Sequence, residues 1–139
     1  MAQRIQQITN HLFGPSLPKI GKKSPEDVVI VTAVRTAITK SRKGGFKDTH
    51  PEELLAAVFE AVIDKSKIDP KLIQDVAVGN VLPPGGGATV ARAAALYAGI
   101  PETAALNTVN RQCSSGLQAV VQIVHEITLD QIEVGIGID

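Results

Sequence analysis

The residue best equipped for chemistry is Cys113, the only cysteine among 139 residues. It sits in Asn110-Arg111-Gln112-Cys113-Ser114-Ser115-Gly116, a polar turn between two apolar segments. A cysteine attacks as its thiolate, which is favoured where positive potential and unpaired backbone N–H groups face the sulfur. The start of a helix offers both. Arg111, two residues upstream, either adds positive potential or faces solvent, Ser114 is a polar neighbour, and Gly116 removes a side chain that would stand in a substrate's path. A lone cysteine between apolar segments also reads as a small buried hydrophobe. Its polar neighbours and a junction that displays reactive groups keep the nucleophile reading beside that one.

Two elements must position such a thiol. Ala105 to Val109 reads as a short strand, and Leu117, Val120, Val121, Val124 and Ile127 recur at the three- and four-residue spacing of one helix face. The change of period falls at Arg111 to Ser115, so Cys113 is expected at or just before the first helical turn.

Here the chain resembles a known family. Asn110-Arg111-Gln112-Cys113-Ser114-Ser115-Gly116-Leu117-Gln118-Ala119 is similar to the active-site cysteine signature of thiolases, in particular the peroxisomal 3-ketoacyl-CoA thiolases. Asp27 to Val31 with Arg35-Thr36-Ala37, Gly44 to Asp48, and Val78 to Leu82 carry the resemblance upstream, so that it covers Glu26 to Gly137. It implies thiolytic cleavage of a 3-ketoacyl-CoA to acetyl-CoA and a shortened acyl-CoA in fatty-acid beta-oxidation, with Cys113 as the acylated nucleophile. Coenzyme A would be the co-substrate, with no bound cofactor and no metal, and the family's proteins are dimers or tetramers. The implied fold is α/β: the first half of a layered αβαβα arrangement, a mixed sheet with helices on both faces. The family's catalytic histidine in Gly-His-Pro and second cysteine in Cys-x-Gly are not in this sequence. The expectation is therefore a truncated thiolase N-terminal domain over 26–139, inactive by itself. The alternative is a catalytically dead targeted fragment that binds the import receptor or a full-length thiolase.

Composition limits the other classes. Fourteen basic residues balance 14 acidic ones and only 3% of residues are aromatic, so neither a nucleic-acid footprint nor a base-stacking platform is expected. One cysteine forms no internal disulfide and belongs to no cysteine-histidine cluster. No apolar run reaches the length of a membrane span.

Residues 1–25 read as an appendage, a short amphipathic helix followed by a linker rich in Gly, Pro, Lys and Ser. Arg4-Ile5, five residues, and His11-Leu12 resemble the type-2 peroxisomal targeting signal, which implies an import receptor as partner and the peroxisome as location. Such a signal is an address and not an anchor. The same nine residues also read as a frayed terminal helix.

Between linker and turn, the sequence predicts a buried strand over Val28 to Val34. A polar, basic loop follows, in which Arg42, Lys43 and Lys47 read as a solvated surface or as an attraction for phosphates. A helix opens at Pro51, with Thr49 and Glu52 at capping-box spacing, and a strand runs from Asp75 to Leu82. Pro83 to Gly87 lacks a P-loop's Gly-Lys-Ser/Thr ending and reads as a tight turn rather than a phosphate cradle. An alanine-rich helix over Ala88 to Ala98 ends at Gly99, and a last strand covers Ile132 to Ile138. His50 and His125 read as surface or packing residues; twelve positions of helical rise, about 18 Å, separate His125 from the thiol.

Overall fold

The computed structural model describes residues 23–139; the targeting pattern at Arg4, Ile5, His11 and Leu12 lies outside them. Helix α1 spans Pro51–Ser66 and turns Phe59 fully inward. Its cap is one residue later than the sequence pattern predicts: His50, not Thr49, is the N-cap, and its N–H donates to Glu53 Oε2 at 2.7 Å. Pro51 accounts for the shift. It takes N1, where its missing N–H is not needed, and so leaves the cap to the residue before it.

Strand β1 (Asp75–Gly79) is followed by a short turn at Pro84–Gly87, helix α2 (Ala88–Tyr97), strand β2 (Ala105–Val109), helix α3 (Ser115–Thr128) and strand β3 (Gly135–Ile138). The sheet order is β2-β1-β3, and β1 pairs in parallel with both neighbours, Asp75 opposite Ala105 on one side and Gly135 on the other. The expected mixed sheet is thus a parallel one among the described strands, because each is joined to the next by a helical crossover. The path steps from β1 out to β2 and then back past β1 to β3. Crossovers of one hand therefore place α2 and α3 on opposite faces.

The packing agrees with that topology. Val76 and Val78 join α1 and α2 in a core containing Phe59, Ala91, Ala94, Ala95 and Ile100. Ala77, pointing the other way, packs with Ala119 and Ile123 of α3. Alternation along one five-residue strand supplies both cores. The expected layering of helices on both faces is present.

One predicted strand is missing. Val28 to Val34 runs extended with no strand pairing, and Val29, Ile30 and Val31 are 73%, 76% and 64% exposed. A strand exists only where a neighbour takes its backbone hydrogen bonds, and no described strand pairs with this segment. Strands β1 and β3 are also shorter than predicted. Gln74 organises their start: its N–H donates to the Val134 carbonyl at 3.0 Å, and its Oε1 accepts from Glu133 and Val134.

Candidate active site

Both loops that form the candidate site leave the carboxyl ends of adjacent parallel strands, where open α/β sheets place their ligands. One is Asn80 to Gly87 after β1, and the other is Asn110 to Ser114 after β2. Arg92 secures the approach to β2, donating from Nη1 to the Ala104 carbonyl and from Nη2 to the Glu102 carbonyl, both at 2.6 Å. At the far end of β2 the Asn80 N–H donates to the Val109 carbonyl at 3.0 Å, which ties the two loops together.

The turn after β2 is dense in hydrogen bonds. Asn110 Oδ1 accepts the Gln112 N–H at 3.0 Å, the Ser114 N–H donates to the Arg111 carbonyl at 3.2 Å, and the Ser115 N–H to the Gln112 carbonyl at 3.1 Å. Gln112 has a φ of 54°, in the left-handed region. Its reversal brings Cys113 to the surface one residue before Ser114, the N-cap of α3. Cys113 is exposed, which excludes the buried-hydrophobe reading for the described structure.

The helix carrying this turn rests directly on the sheet. A Cβ added to Gly79 would come 2.6 Å from the Ser115 carbonyl carbon and 2.8 Å from the Gly116 nitrogen, and one on Gly137 would come 2.7 Å from Val120 Cα. Bare backbone in β1 and β3 is thus what allows α3 to sit where it does.

Arg111 Nη1 donates to Gln118 Oε1, a neutral partner that holds the guanidinium on the first turns of α3 and leaves its charge in place. With Ser114, Leu117, Gln118 and Val121, Arg111 lines a surface hollow of about 400 Å³. Cys113 is not among the residues of that lining. A Cβ on Gly116 would lie 2.7 Å from Asp139 Cβ, so the missing side chain makes room for the residue that follows β3.

Two residues escaped the sequence reading. Ser115 is 1% exposed, with its hydroxyl between the Arg111 N–H and the Gln112 carbonyl. Asn80 donates from Nδ2 to the Gly86 carbonyl at 2.6 Å, holding a turn in which Gly85, Gly86 and Gly87 all have positive φ. Its Oδ1 is buried without a partner. The available signal was position: Asn80 directly follows β1, Ser115 opens α3, and each stands beside a glycine. The predicted tight turn at Pro83 to Gly87 is observed, with a Cβ on Gly86 meeting Thr108 Oγ1 at 3.6 Å.

The other candidates lie in separate places. His50 caps α1, and His125 is exposed far along α3. Arg42 and Lys47, with Thr39, Lys40, Ser41 and Phe46, border a second hollow of about 300 Å³, and Lys47 pairs with Asp48 at 2.9 Å. Among the described residues no group of three or more His, Cys, Asp or Glu could hold a metal ion, and no helix is long and apolar enough to cross a membrane.

An exposed cysteine at a strand-to-helix turn, on the carboxyl edge of a parallel sheet between two helical layers, defines a class. The chain belongs to the thiolase family: residues 28–138 match its N-terminal domain. Among individual relatives, it is 57% identical over 121 residues to the peroxisomal 3-ketoacyl-CoA thiolase of Yarrowia lipolytica, covering 87% of this chain and 29% of that protein. It is 46% identical over 146 residues to the human peroxisomal 3-ketoacyl-CoA thiolase, covering 97% of this chain and 34% of the relative. The peroxisomal 3-ketoacyl-CoA thiolase of Saccharomyces cerevisiae, described as a five-layered α-β-α-β-α structure built from two core domains of identical topology, superposes with a TM-score of 0.77 at 47% identity. That match covers 81% of this chain and 34% of the yeast chain. A second structure, of the dimeric peroxisomal thiolase of the same yeast, gives a TM-score of 0.76 at 48% identity over 80% of this chain and 29% of that one. The chain thus spans about a third of the length of the curated relatives it matches.

Proposed function

We propose that this chain is the nucleophile-bearing part of a 3-ketoacyl-CoA thiolase, acting in fatty-acid beta-oxidation with Cys113 as the acyl-accepting residue. The observation that carries the reading is the exposed Cys113 on a tightly hydrogen-bonded turn within the matched family region. In the proposed reaction the Cys113 thiolate attacks the keto carbon of the substrate, and the bond to the acetyl unit breaks. The acyl group stays on sulfur as a thioester, while the departing acetyl-CoA enolate takes up a proton. The thiol of coenzyme A then attacks that thioester, loses its proton and leaves as the shortened acyl-CoA, returning Cys113. No bound cofactor enters these steps.

The chemistry also requires a base for the thiol, an acid for the enolate and donors for the developing oxyanions. The described histidines are His50 at the start of α1 and His125 well along α3, and we assign neither to the first two roles. We therefore propose that complete turnover needs groups beyond these residues, of the kind the rest of a full-length thiolase would supply. The test is intact-mass analysis of the chain after incubation with an acyl-CoA. We expect one acyl adduct, absent in Cys113→Ser and removed by free coenzyme A. A folded chain that forms no adduct would overturn the reading.

A second reading, favoured by the exposed run Val29 to Val31, is an interaction role without turnover, through the peroxisomal import receptor or a full-length thiolase. In both readings the targeting pattern at Arg4, Ile5, His11 and Leu12, together with relatives named as peroxisomal, supports the peroxisome as the location. A homodimeric assembly is supported by the related yeast structure described as dimeric.

A further inference from the structure

We propose that Ser115 is the positioning residue of the nucleophile, an inference that rests on the acyl-transfer reading of Cys113. Ser115 is the single polar residue buried as a whole among the described residues. Its Oγ accepts the Arg111 N–H at 2.9 Å and donates to the Gln112 carbonyl at 2.6 Å. A serine hydroxyl has one proton to give, so the short contact takes it, and the Asn80 carbonyl at 3.4 Å is left as a marginal neighbour.

The two clamped backbone groups belong to the two residues immediately before Cys113. One of them, Gln112, has a φ of 54°, which a residue other than glycine keeps only when its surroundings over-determine it. Ser115 itself cannot shift. It is the first residue of α3, and Gly79 of β1 lies against its backbone so closely that an added Cβ would clash at 2.6 Å. The hydroxyl therefore transmits the rigidity of the sheet to the turn and fixes the direction in which the Cys113 side chain leaves the backbone. Removing it leaves the Arg111 N–H without its acceptor and frees Gln112 to relax out of the left-handed region. The thiol then loses its fixed approach to a bound acyl-CoA. A buried serine that served packing alone would lower the melting temperature and leave the folded protein's thiol unchanged.

The experiment compares the full chain with Ser115→Ala and with Ser115→Thr, which keeps the hydroxyl. For each we would measure the rate of Cys113 acylation by an acyl-CoA, the rate of its alkylation by iodoacetamide, the melting temperature, and amide exchange across residues 110–116. Displacement of a reacting group by about an ångström costs up to about 100-fold, so Ser115→Ala is expected to acylate about 10- to 100-fold more slowly per folded molecule. Amide exchange should rise at Arg111 in that variant, and Ser115→Thr should restore both readouts. A folded Ser115→Ala that acylates at the parent rate overturns the proposal. If the parent forms no acyl adduct, the acyl-transfer reading fails separately, and a slowed alkylation in Ser115→Ala still supports the clamp. Should Ser115→Ala not fold, exchange in the parent decides: a protected Arg111 amide supports the clamp, and a freely exchanging one overturns it.

Discussion

Val28 to Val34 and β1 are similar in composition and opposite in fate. Both are short, apolar and rich in β-branched residues. In β1, Val76 and Ala77 are fully buried, with a hydrogen-bonded neighbour on each side and a helix on each face. Val29, Ile30 and Val31 are mostly exposed and extended without a partner. The difference teaches that apolar β-branched sequence permits a strand but does not make one. The strand forms when other segments satisfy its backbone and cover its side chains.

The largest test of that contrast is Val76→Asp. A carboxylate at a fully buried position between α1, α2 and the sheet has no partner there, so we expect loss of cooperative folding, at a cost above about 4 kcal/mol. Circular dichroism melting would report it. The matched change on the other side of the comparison is Ile30→Asp, for which the expected stability change is within about 0.5 kcal/mol. Light scattering should also show less self-association, because an exposed apolar run is interrupted. Equal unfolding by both substitutions would break the comparison, since it would mean that residues 28–34 are covered in solution.

The smallest effect calibrates what the solvent-exposed surface contributes. Lys67 Nζ bonds Asp64 Oδ1 at 2.7 Å near the end of α1, and this hydrogen bond, followed by the lysine's charge, holds the Asp64 carboxyl below its ordinary range. A depressed carboxylate adds stability that is present above its unfolded-state value and disappears as pH falls through the folded one. Lys67→Ala should therefore raise the Asp64 titration midpoint in a carboxyl-resolved NMR titration, while the melting temperature near neutral pH barely moves. A large drop in melting temperature would show that even open surface contacts here are tightly coupled to the core.

The helices and the nucleophile's turn were legible in the residues because their signals are local. The three- and four-residue spacing of α3, the stop at Gly99 and the polar run around Cys113 each depend on neighbours within a few positions. The cap of α1 was legible only to within one residue, since Thr49-Glu52 and His50-Glu53 offer the same spacing and Pro51 decides between them. The contact of Gly116 with Asp139 was not legible, because the two are 23 residues apart in the chain. Ser115 was passed over because a serine in a turn looks solvated until the strand beneath it is in place.

From the sequence alone come the periodicities, the candidate nucleophile and the family resemblance, all carried by residues close together in the chain. Only the tertiary structure decided which apolar segments became strands, that the described strands run parallel, and that Ser115 is enclosed where it grips the turn before Cys113. Those outcomes depend on partners distant in the chain. Ser115 lies 36 residues beyond Gly79, the strand residue that its backbone touches, and no local pattern records such a contact.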